Sequence, residues 1–473
     1  MALKGKNLGA KNSLDKYILI LCYLYRTFDS QTFKLNKQDS ALTQIFNLHS
    51  ANHFWVVLLL LVVVSCSSSK KFTGFSYDPK GSTVTTDKVI HPQHKRTIGI
   101  RDDDVWVSNE FAGARMSDFY KVSDSLYRVV IKPEIYPVND SPWYSFKIWS
   151  NTSKHVDLQL TYQHGDHRYV PNLSHDGIHW KTIDNTNYQA DTLNGTATLS
   201  LDISKDTLWV SAQELFTEKN FSSWADSMAT QPFVELDTVG YTHDRRPIVK
   251  MHIADPKGST KRGVLIITGR LHPPEVTGEM ACKTFIDELT SDTKLASKFR
   301  KQFEIWAYPF ANPDGVQRGN WRTNGAGVDL NRDWKYFNQP ETYSIKNDLL
   351  KLKDDSLRKV FYGMDFHSTD ENIFYPINRN VSTFPEDFTY AWIDSLRQKF
   401  PDYPFEVEPF DTSSPITKNW IYHTFGADAV TYEVNDTVNR DSMRAVTKES
   451  AQLIMRGLLN AKNGHYKVAN ISN

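Results

Sequence analysis

The run Val264–Thr268 (VLIIT) carries no charged residue and no polar alternation. Strands buried on one face alternate apolar and polar residues, whereas strands buried on both faces are apolar throughout. Three further strand-like segments and four helical stretches follow along the chain: strands at 303–308, 361–366 and 429–432, and helices at about 276–291, 341–355, 384–400 and 441–461. Strands that alternate with helices predict an α/β fold, in which a mixed, largely parallel sheet is flanked by helices.

The preceding segment, from 96 to 225, has shorter apolar runs and a different period. Its strand-like segments alternate apolar and polar residues: Leu126–Ile131, Trp143–Trp149 and Val156–Leu160. Turn-forming residues such as Asp176-Gly177 separate such segments, which is typical of an all-β sandwich. We therefore expect a β-sandwich domain at 96–225, followed by the α/β domain at 226–473.

The N-terminal part contains the apolar run Phe54–Val64, which is too short to span a bilayer easily but has the length of a signal-peptide core. Cys66 follows it closely, and the segment resembles a bacterial lipoprotein signal whose cleavage leaves Cys66 as a lipidated first residue. We expect a leader or anchor at 1–66, a polar tether at 67–95, and a cell-envelope protein, periplasmic or surface-facing, that is lipid-anchored to a bacterial membrane. The run lies unusually far from Met1, so a later start or a different kind of anchor stays open.

Charge and cysteine content exclude several classes of protein. Lysine plus arginine equals aspartate plus glutamate, with 55 of each, so no basic excess predicts a nucleic-acid partner. The three cysteines, Cys22, Cys66 and Cys282, lie far apart and form neither a disulfide framework nor a cysteine-type metal site. The body of the chain fits a globular enzyme or binding protein.

Polar residues follow the predicted strands at their carboxyl ends. His272 and Glu275 come after the first strand, His367 closes the third, and Glu433 closes the fourth. Ligand sites of parallel sheets gather at this edge, so these side chains are expected to converge. Catalytic zinc takes three protein ligands, and His₂Glu is one of the known sets. We therefore predict one zinc ion per chain, bound by His272, Glu275 and His367.

Two prolines separate the first pair of predicted ligands in the stretch GRLHPPE (269–275). A residue before proline favours an extended conformation, and proline favours the first position of a helix. We therefore expect His272 in a loop and Glu275 in the first turn of the following helix. The pair then lies at a strand-to-helix corner.

The motifs of this region resemble those of the carboxypeptidase A-like zinc peptidases. The matching residues are His272-x-x-Glu275, Arg322, the run Gly327–Trp334, His367 and Glu433. The resemblance covers roughly 235–465. It implies a carboxypeptidase-like fold, a zinc site, and hydrolysis of C-terminal residues from peptides or proteins.

The resemblance also implies roles for individual residues. Glu433 would activate the zinc-bound water as general base and then act as general acid. Arg322 would polarise the scissile carbonyl and stabilise the oxyanion. Asn331 and Arg332 would hold the terminal carboxylate of the substrate, and Asp329 would lie behind His272. These groups match the needs of amide hydrolysis: a base, a fixed cation and a carboxylate-binding guanidinium.

The order of domains narrows the resemblance to the cytosolic carboxypeptidases that remove glutamates from protein tails, and to their bacterial relatives. HPPE at 272–275 is closer to the HPGE of that branch than to the HxRE of digestive enzymes, and Tyr169–Pro171 and Asp176–Trp180 are similar to their sandwich domain. An ungapped alignment on Glu433 places Lys418 in the specificity pocket, which implies a preference for acidic C-terminal residues.

Two other functions stay open at this point. A zinc amidase could use the same residues on cell-wall peptides or acylated amino acids, and a non-catalytic lipoprotein could bind peptide or glycan. The intact set of catalytic residues favours an enzyme. Its expected partners are a peptide or protein C-terminus and a membrane through lipidated Cys66, with no nucleic acid.

Overall fold

The structure is a computed structural model that describes residues 89–409 and 412–464. All of these residues belong to one compact unit, Phe72–Asn473. The predicted leader with Cys66, and most of the predicted tether, lie outside the described residues. Among the helices described, none is both long enough and apolar enough to cross a membrane.

The N-terminal part of the described chain consists of two β-sheets that share one core. Their strands are β1 (Thr97–Ile100), β2 (Val105–Ser108), β3 (Asp118–Lys121), β4 (Leu126–Ile131), β5 (Ser145–Trp149), β6 (Lys154–Tyr162), β7 (Asn172–Ser174), β8 (Lys181–Thr182), β9 (Tyr188–Asp191), β10 (Thr196–Ile203) and β11 (Leu208–Ser211). One sheet has the order β1-β2-β5-β11-β7-β8 and the other the order β3-β4-β6-β10-β9. Val107 and Phe146 of the first sheet are buried in the same apolar cluster as Leu158 and Leu199 of the second. This is the architecture of a β-sandwich.

The C-terminal part is built on an eight-stranded mixed sheet with the order β12-β13-β15-β14-β16-β19-β17-β18. Its strands are β12 (Val234–Tyr241), β13 (Pro247–Ile253), β14 (Arg262–Gly269), β15 (Phe303–Tyr308), β16 (Arg358–Thr369), β17 (Ile373–Pro376), β18 (Glu406–Val407) and β19 (Asp428–Asn435). The four central strands, in the spatial order β15, β14, β16 and β19, run parallel to one another. The predicted mixed, largely parallel sheet is confirmed.

Helices cover both faces of this sheet. Those described are α1 (Glu218–Met228), α2 (Val276–Leu289), α3 (Lys294–Gln302), α4 (Pro313–Arg318), α5 (Pro340–Leu349), α6 (Phe388–Lys399), α7 (Thr417–Phe425) and α8 (Arg440–Lys462). Successive side chains of β14 point to opposite faces: Leu265 packs in one apolar cluster and Ile266 in another. Both faces of β14 are therefore buried, as its apolar sequence predicts.

Some elements differ from the sequence-based expectation. Helix α5 ends at Leu349 and continues only as a 3-10 turn, Leu350–Leu352, whereas the predicted helix extends to about 355. Helix α3 and the antiparallel pair of β12 and β13 were not predicted. Helix α3 is only nine residues long and buries just Ala296, Phe299 and Arg300.

Candidate active site

Three side chains predicted to bind metal meet at the carboxyl end of the large sheet. The donor atoms of His272, Glu275 and His367 all lie within 4.8 Å of one another. Glu275 Oε1 is 2.7 Å from His272 Nδ1, and Glu275 Oε2 is 2.7 Å from His367 Nδ1. All three residues are buried. Two imidazoles and one carboxylate make up a donor set of catalytic zinc sites, so these residues fit a zinc ion.

The second ring nitrogen of each histidine contacts a buried carboxylate. His272 Nε2 is 2.9 Å from Asp329 Oδ1, and His367 Nε2 is 2.9 Å from Asp365 Oδ2. Such carboxylates fix the orientation of the ring and direct the other nitrogen towards a metal. Asp329 lies where the sequence places it, but Asp365 was missed. Its position two residues before His367 in a strand puts both side chains on one face, which was the available signal.

The charges in the cluster stabilise one another. Burial raises the pKa of Glu275, but the positive charges of His272 and His367 outweigh burial and hold this pKa below its usual range. Burial lowers the pKa of His367, but the carboxylates of Asp365 and Glu275 outweigh it and raise the pKa. Since metal ligands must be deprotonated, a divalent cation that binds here would compete with a proton for the ligand nitrogen of His367.

Glu275 lies one residue before helix α2 and not in its first turn, which corrects the sequence-based expectation. Its backbone (φ −80°, ψ 64°) is not helical, and the helix begins at Val276. Pro273 and Pro274 form the preceding turn, in which Val276 N donates to the carbonyl oxygen of Pro274 at 2.8 Å. The prolines therefore occupy the loop and delay the start of the helix.

Helix α2 approaches the end of β16 very closely at Gly278. A Cβ at this position would lie 2.3 Å from the carbonyl oxygen of His367. Gly278 N also donates to Ser368 Oγ at 2.7 Å. This contact fixes the start of α2, and Glu275 with it, against the strand that carries His367.

Arg322 and Glu433 flank the metal cluster. Arg322 Nε donates to Asp329 Oδ2 at 2.8 Å, and Arg322 Nη1 lies 4.0 Å from Glu275 Oε1. Glu433 is the register partner of His367 on the neighbouring strand. Its Oε2 is buried and has no hydrogen-bond partner among the described residues, and burial raises the pKa of its carboxyl group. The site thus combines a fixed cation, Arg322, with a carboxyl group, Glu433, that can accept a proton.

Asn331 and Arg332 lie in a 3-10 turn, Leu330–Arg332, beside the cluster. Asn331 Oδ1 accepts a hydrogen bond from Thr417 N at 3.1 Å, and Arg332 Nη1 donates to the carbonyl oxygen of Asn331 at 2.8 Å. Both residues line the same cavity as the metal cluster. A guanidinium and an amide in this place suit the binding of a carboxylate.

The cavity over the cluster has a volume of about 400 Å³. Six predicted site residues line it: His272, Glu275, Arg322, Asn331, Arg332 and Glu433. The β-sandwich contributes Asn139, Ser141 and Arg168. Sequence reasoning missed these three, because no motif marks them and only the packing of the sandwich against the α/β part brings them to the site.

Lys418 is not among the residues that line this cavity, which departs from its predicted place in the pocket. Its side chain is fully buried, and its Nζ donates to the carbonyl oxygen of Pro376 at 3.2 Å. Tyr375, the residue before Pro376, does line the cavity. The ammonium group therefore lies next to the cavity wall and not on its surface.

Comparison with known proteins identifies the C-terminal part. Residues 221–448 match the Peptidase_M14 family model, zinc carboxypeptidase. Cytosolic carboxypeptidase 3 of Bos taurus is 24% identical over 312 residues, which are 59% of this chain and 31% of the relative. Cytosolic carboxypeptidase 6 of Mus musculus is 29% identical over 202 residues, which are 37% of each protein. The chain thus spans less than half the length of these relatives.

Solved structures share the fold. The metallo-carboxypeptidase from Burkholderia cenocepacia has a TM-score of 0.63 at 19% identity, over 76% of this chain and 99% of that one. The metallo-carboxypeptidase from Pseudomonas aeruginosa, in complex with (2-guanidinoethylmercapto)succinic acid, has a TM-score of 0.60 at 18% identity, over 75% and 99%. The predicted fold class and resemblance are confirmed. Together with the His₂Glu geometry, the match shows that residues 221–448 form a zinc carboxypeptidase domain of the Peptidase_M14 family.

Proposed function

We propose that the chain is a zinc-dependent metallocarboxypeptidase that hydrolyses C-terminal residues from peptides or proteins. The observation that carries this proposal is the meeting of a His₂Glu cluster, Arg322 and Glu433 in one cavity. A metal-binding protein without catalytic activity needs no buried carboxylate oxygen beside its metal ligands that, like Glu433 Oε2, has no hydrogen-bond partner among the described residues. The family match of the same residues supports the proposal.

The residues divide the work of amide hydrolysis between them. Zinc held by His272, Glu275 and His367 would supply an electrophile that lowers the pKa of water to about 7. The Glu433 carboxylate would accept the proton of the attacking water and pass it to the leaving nitrogen, as the new C–O bond forms and the C–N bond breaks. Arg322 would donate to the carbonyl oxygen as negative charge develops on it.

A free carboxylate at the end of the substrate is the feature that distinguishes a carboxypeptidase from other amidases. Arg332 and Asn331 line the cavity beside the metal cluster, at a place where a terminal carboxylate can be held by a planar guanidinium and an amide. Binding of that carboxylate would place the last peptide bond over the ligands.

A series of peptide pairs tests this function. Each pair has the same sequence and ends in Glu, Leu or Lys, either as the free acid or as the C-terminal amide. We expect release of single C-terminal residues from the free acids and rates at least about tenfold lower for the amides, because an ion pair with the terminal carboxylate is lost. Mass spectrometry of the products measures both. Equal hydrolysis of free and amidated peptides would show that the enzyme is an amidase that does not recognise the C-terminal carboxylate.

We further propose a preference for acidic C-terminal residues, based on Lys418. Its buried ammonium group donates to the carbonyl oxygen of Pro376, the residue after the cavity-lining Tyr375, and a carboxylate that reaches this wall would gain a cation in a poorly solvated place. In the same peptide series, the free acid ending in Glu is therefore expected to be the best substrate.

The variant Lys418→Met keeps most of the side-chain volume and removes the charge. It is expected to lower kcat/KM for the Glu-ending peptide by roughly tenfold or less, because the buried ammonium group acts on the substrate carboxylate by its charge and not through a direct hydrogen bond. The Leu-ending peptide should change only a few-fold, which controls for damage to the fold. A wild-type preference for Leu or Lys would contradict the proposal.

Tethering to a membrane through lipidated Cys66, and with it a place in the cell envelope, is proposed from the sequence alone. The support is the apolar run Phe54–Val64, which ends two residues before Cys66. The wild type should sediment with membranes, and Cys66→Ala should appear in the soluble fraction. Equal membrane association of both would point to a different anchor.

A further inference from the structure

We propose that Glu134, a residue of the β-sandwich, positions Arg322 for the reaction. This proposal rests on the proposed carboxypeptidase function and goes beyond it by giving the sandwich a direct influence on the rate of the chemical step. Glu134 lies after strand β4, and its side chain is buried at the contact between the two parts of the chain.

The carboxylate of Glu134 accepts four hydrogen bonds from three consecutive residues. Trp321 N donates to Oε2 at 2.8 Å. Arg322 N and Thr323 N donate to Oε1 at 3.1 and 2.9 Å, and Thr323 Oγ1 donates to the same oxygen at 2.8 Å. The central residue of the three is the arginine that faces the metal cluster. Hydrogen bonds to an ionised acceptor are stronger than those between neutral groups, so this carboxylate holds the backbone of the loop firmly.

Other sandwich residues hold the flanking part of the same loop. Arg115 Nε donates to the carbonyl oxygen of Gly319, and Arg115 Nη2 donates to Asn320 Oδ1, both at 2.7 Å. Trp321 Nε1 donates to the carbonyl oxygen of Trp143 at 3.0 Å. Arg115 Nη2 also lies 3.9 Å from Glu134 Oε2, which provides the buried carboxylate with an opposite charge. Residues 319–323 are therefore bound by the sandwich at every position.

The loop depends on these contacts because Glu134, and not the loop itself, accepts the amide hydrogens of Trp321, Arg322 and Thr323. Residues 320–329 contain no helix or strand. Buried N–H groups need acceptors, and here the acceptor for three in succession comes from outside the domain that carries the active site. At the other end of Arg322, the guanidinium is held by Asp329. Glu134 fixes the backbone and Asp329 fixes the head group, so the direction of the guanidinium is set from both sides.

A double-mutant cycle between Glu134 and Arg322 tests the proposal. Glu134→Gln keeps the shape of the side chain but removes the charge and one acceptor, and we expect kcat to fall about 10- to 100-fold with KM nearly unchanged, since small displacements of a catalytic group cost about that much. In the background of Arg322→Met, the same Glu134→Gln change should lower kcat no further, because its effect passes through Arg322. An equal loss of kcat in both backgrounds would show a merely structural role and overturn the proposal.

Two further variants control for damage to the interface. Glu214→Gln breaks a contact between the same two parts of the chain, the ion pair with Arg440 (2.9 Å from Arg440 Nη2 to Glu214 Oε2), without touching the loop, and should leave kcat unchanged. Thr323→Val removes only the hydroxyl donor to Glu134 and should lower kcat less than Glu134→Gln does. If Glu134→Gln does not fold, Thr323→Val takes its place in the cycle with Arg322→Met.

The outcome separates this proposal from the proposed function. A wild-type chain with bound zinc and no hydrolysis of any free-acid peptide would refute the function itself. An active wild type in which Arg322→Met lowers kcat, but Glu134→Gln and Thr323→Val do not, would leave the function standing and refute the positioning role. Zinc content and unfolding temperature, measured for every variant, confirm that the site is intact.

Discussion

Removal of the metal with a chelator is expected to abolish hydrolysis, and one equivalent of zinc per chain is expected to restore it. His272, Glu275 and His367 offer three ligand atoms within 4.8 Å of one another, so they can bind one ion without rearrangement of the backbone. The chain should stay folded without metal, because Glu275 remains hydrogen-bonded to both imidazoles. Circular dichroism and peptide hydrolysis, followed through removal and return of zinc, measure the two effects separately.

Zinc should also stabilise the folded chain. A ligand that binds only the folded state adds about 4 kcal/mol to the free energy of unfolding when its free concentration is about 1,000 times its dissociation constant. His367→Gln should lose both bound zinc and this stabilisation, whereas His155→Gln, on the exposed surface of β6, should lose neither. Full activity in a preparation shown by elemental analysis to contain no metal would contradict the assignment of the ligands.

Replacement of Glu433 by glutamine is expected to lower kcat by about 10²- to 10⁴-fold, the usual contribution of a positioned general base. Glutamine has the shape of glutamate but cannot take a proton from water. Because Glu433 Oε2 has no hydrogen-bond partner among the described residues, the substitution breaks no contact of that atom and should not destabilise the fold. KM should change little, since the proton transfer occurs on the way to the transition state.

The decisive measurement for Glu433→Gln is kcat together with zinc content. The variant should retain one zinc per chain, because none of the three ligands is altered. Glu235→Gln, on the exposed side of β12, is the matched control and should be as active as the wild type. Unchanged hydrolysis in Glu433→Gln would mean that another group moves the proton.

The metal cluster could be predicted because sheet topology places it. His272 follows β14, and His367 and Glu433 lie in the last residues of β16 and β19. These three strands are adjacent and parallel, so their carboxyl ends must lie side by side. A buried strand is easy to recognise in a sequence, and the position of that strand in the sheet determines where the residue at its end lies. Asp365 could have been found in the same way, because side chains two residues apart in β16 lie on one face of the sheet and Asp365 is therefore beside His367.

The contribution of the sandwich could not be predicted in the same way. Arg168 lines the cavity and Glu134 binds the backbone around Arg322 only because one part of the chain packs against the other, and neither residue lies in a motif with a fixed spacing to the site. Lys418 shows a related limit. Alignment places it in the specificity pocket, but the direction of its side chain depends on how α7 packs, and its ammonium group donates to the carbonyl oxygen of Pro376.

The hydrogen bonds of Glu134 bear on how such a protein can be divided or recombined. The family match begins at residue 221. The backbone amides around Arg322, however, are held by the carboxylate of Glu134, which lies 87 positions before residue 221. A shuffled chain that joins this α/β part to a foreign sandwich would keep every metal ligand and still leave three buried amides without their acceptor. The smallest exchangeable piece of this protein is therefore the sandwich and the α/β part together.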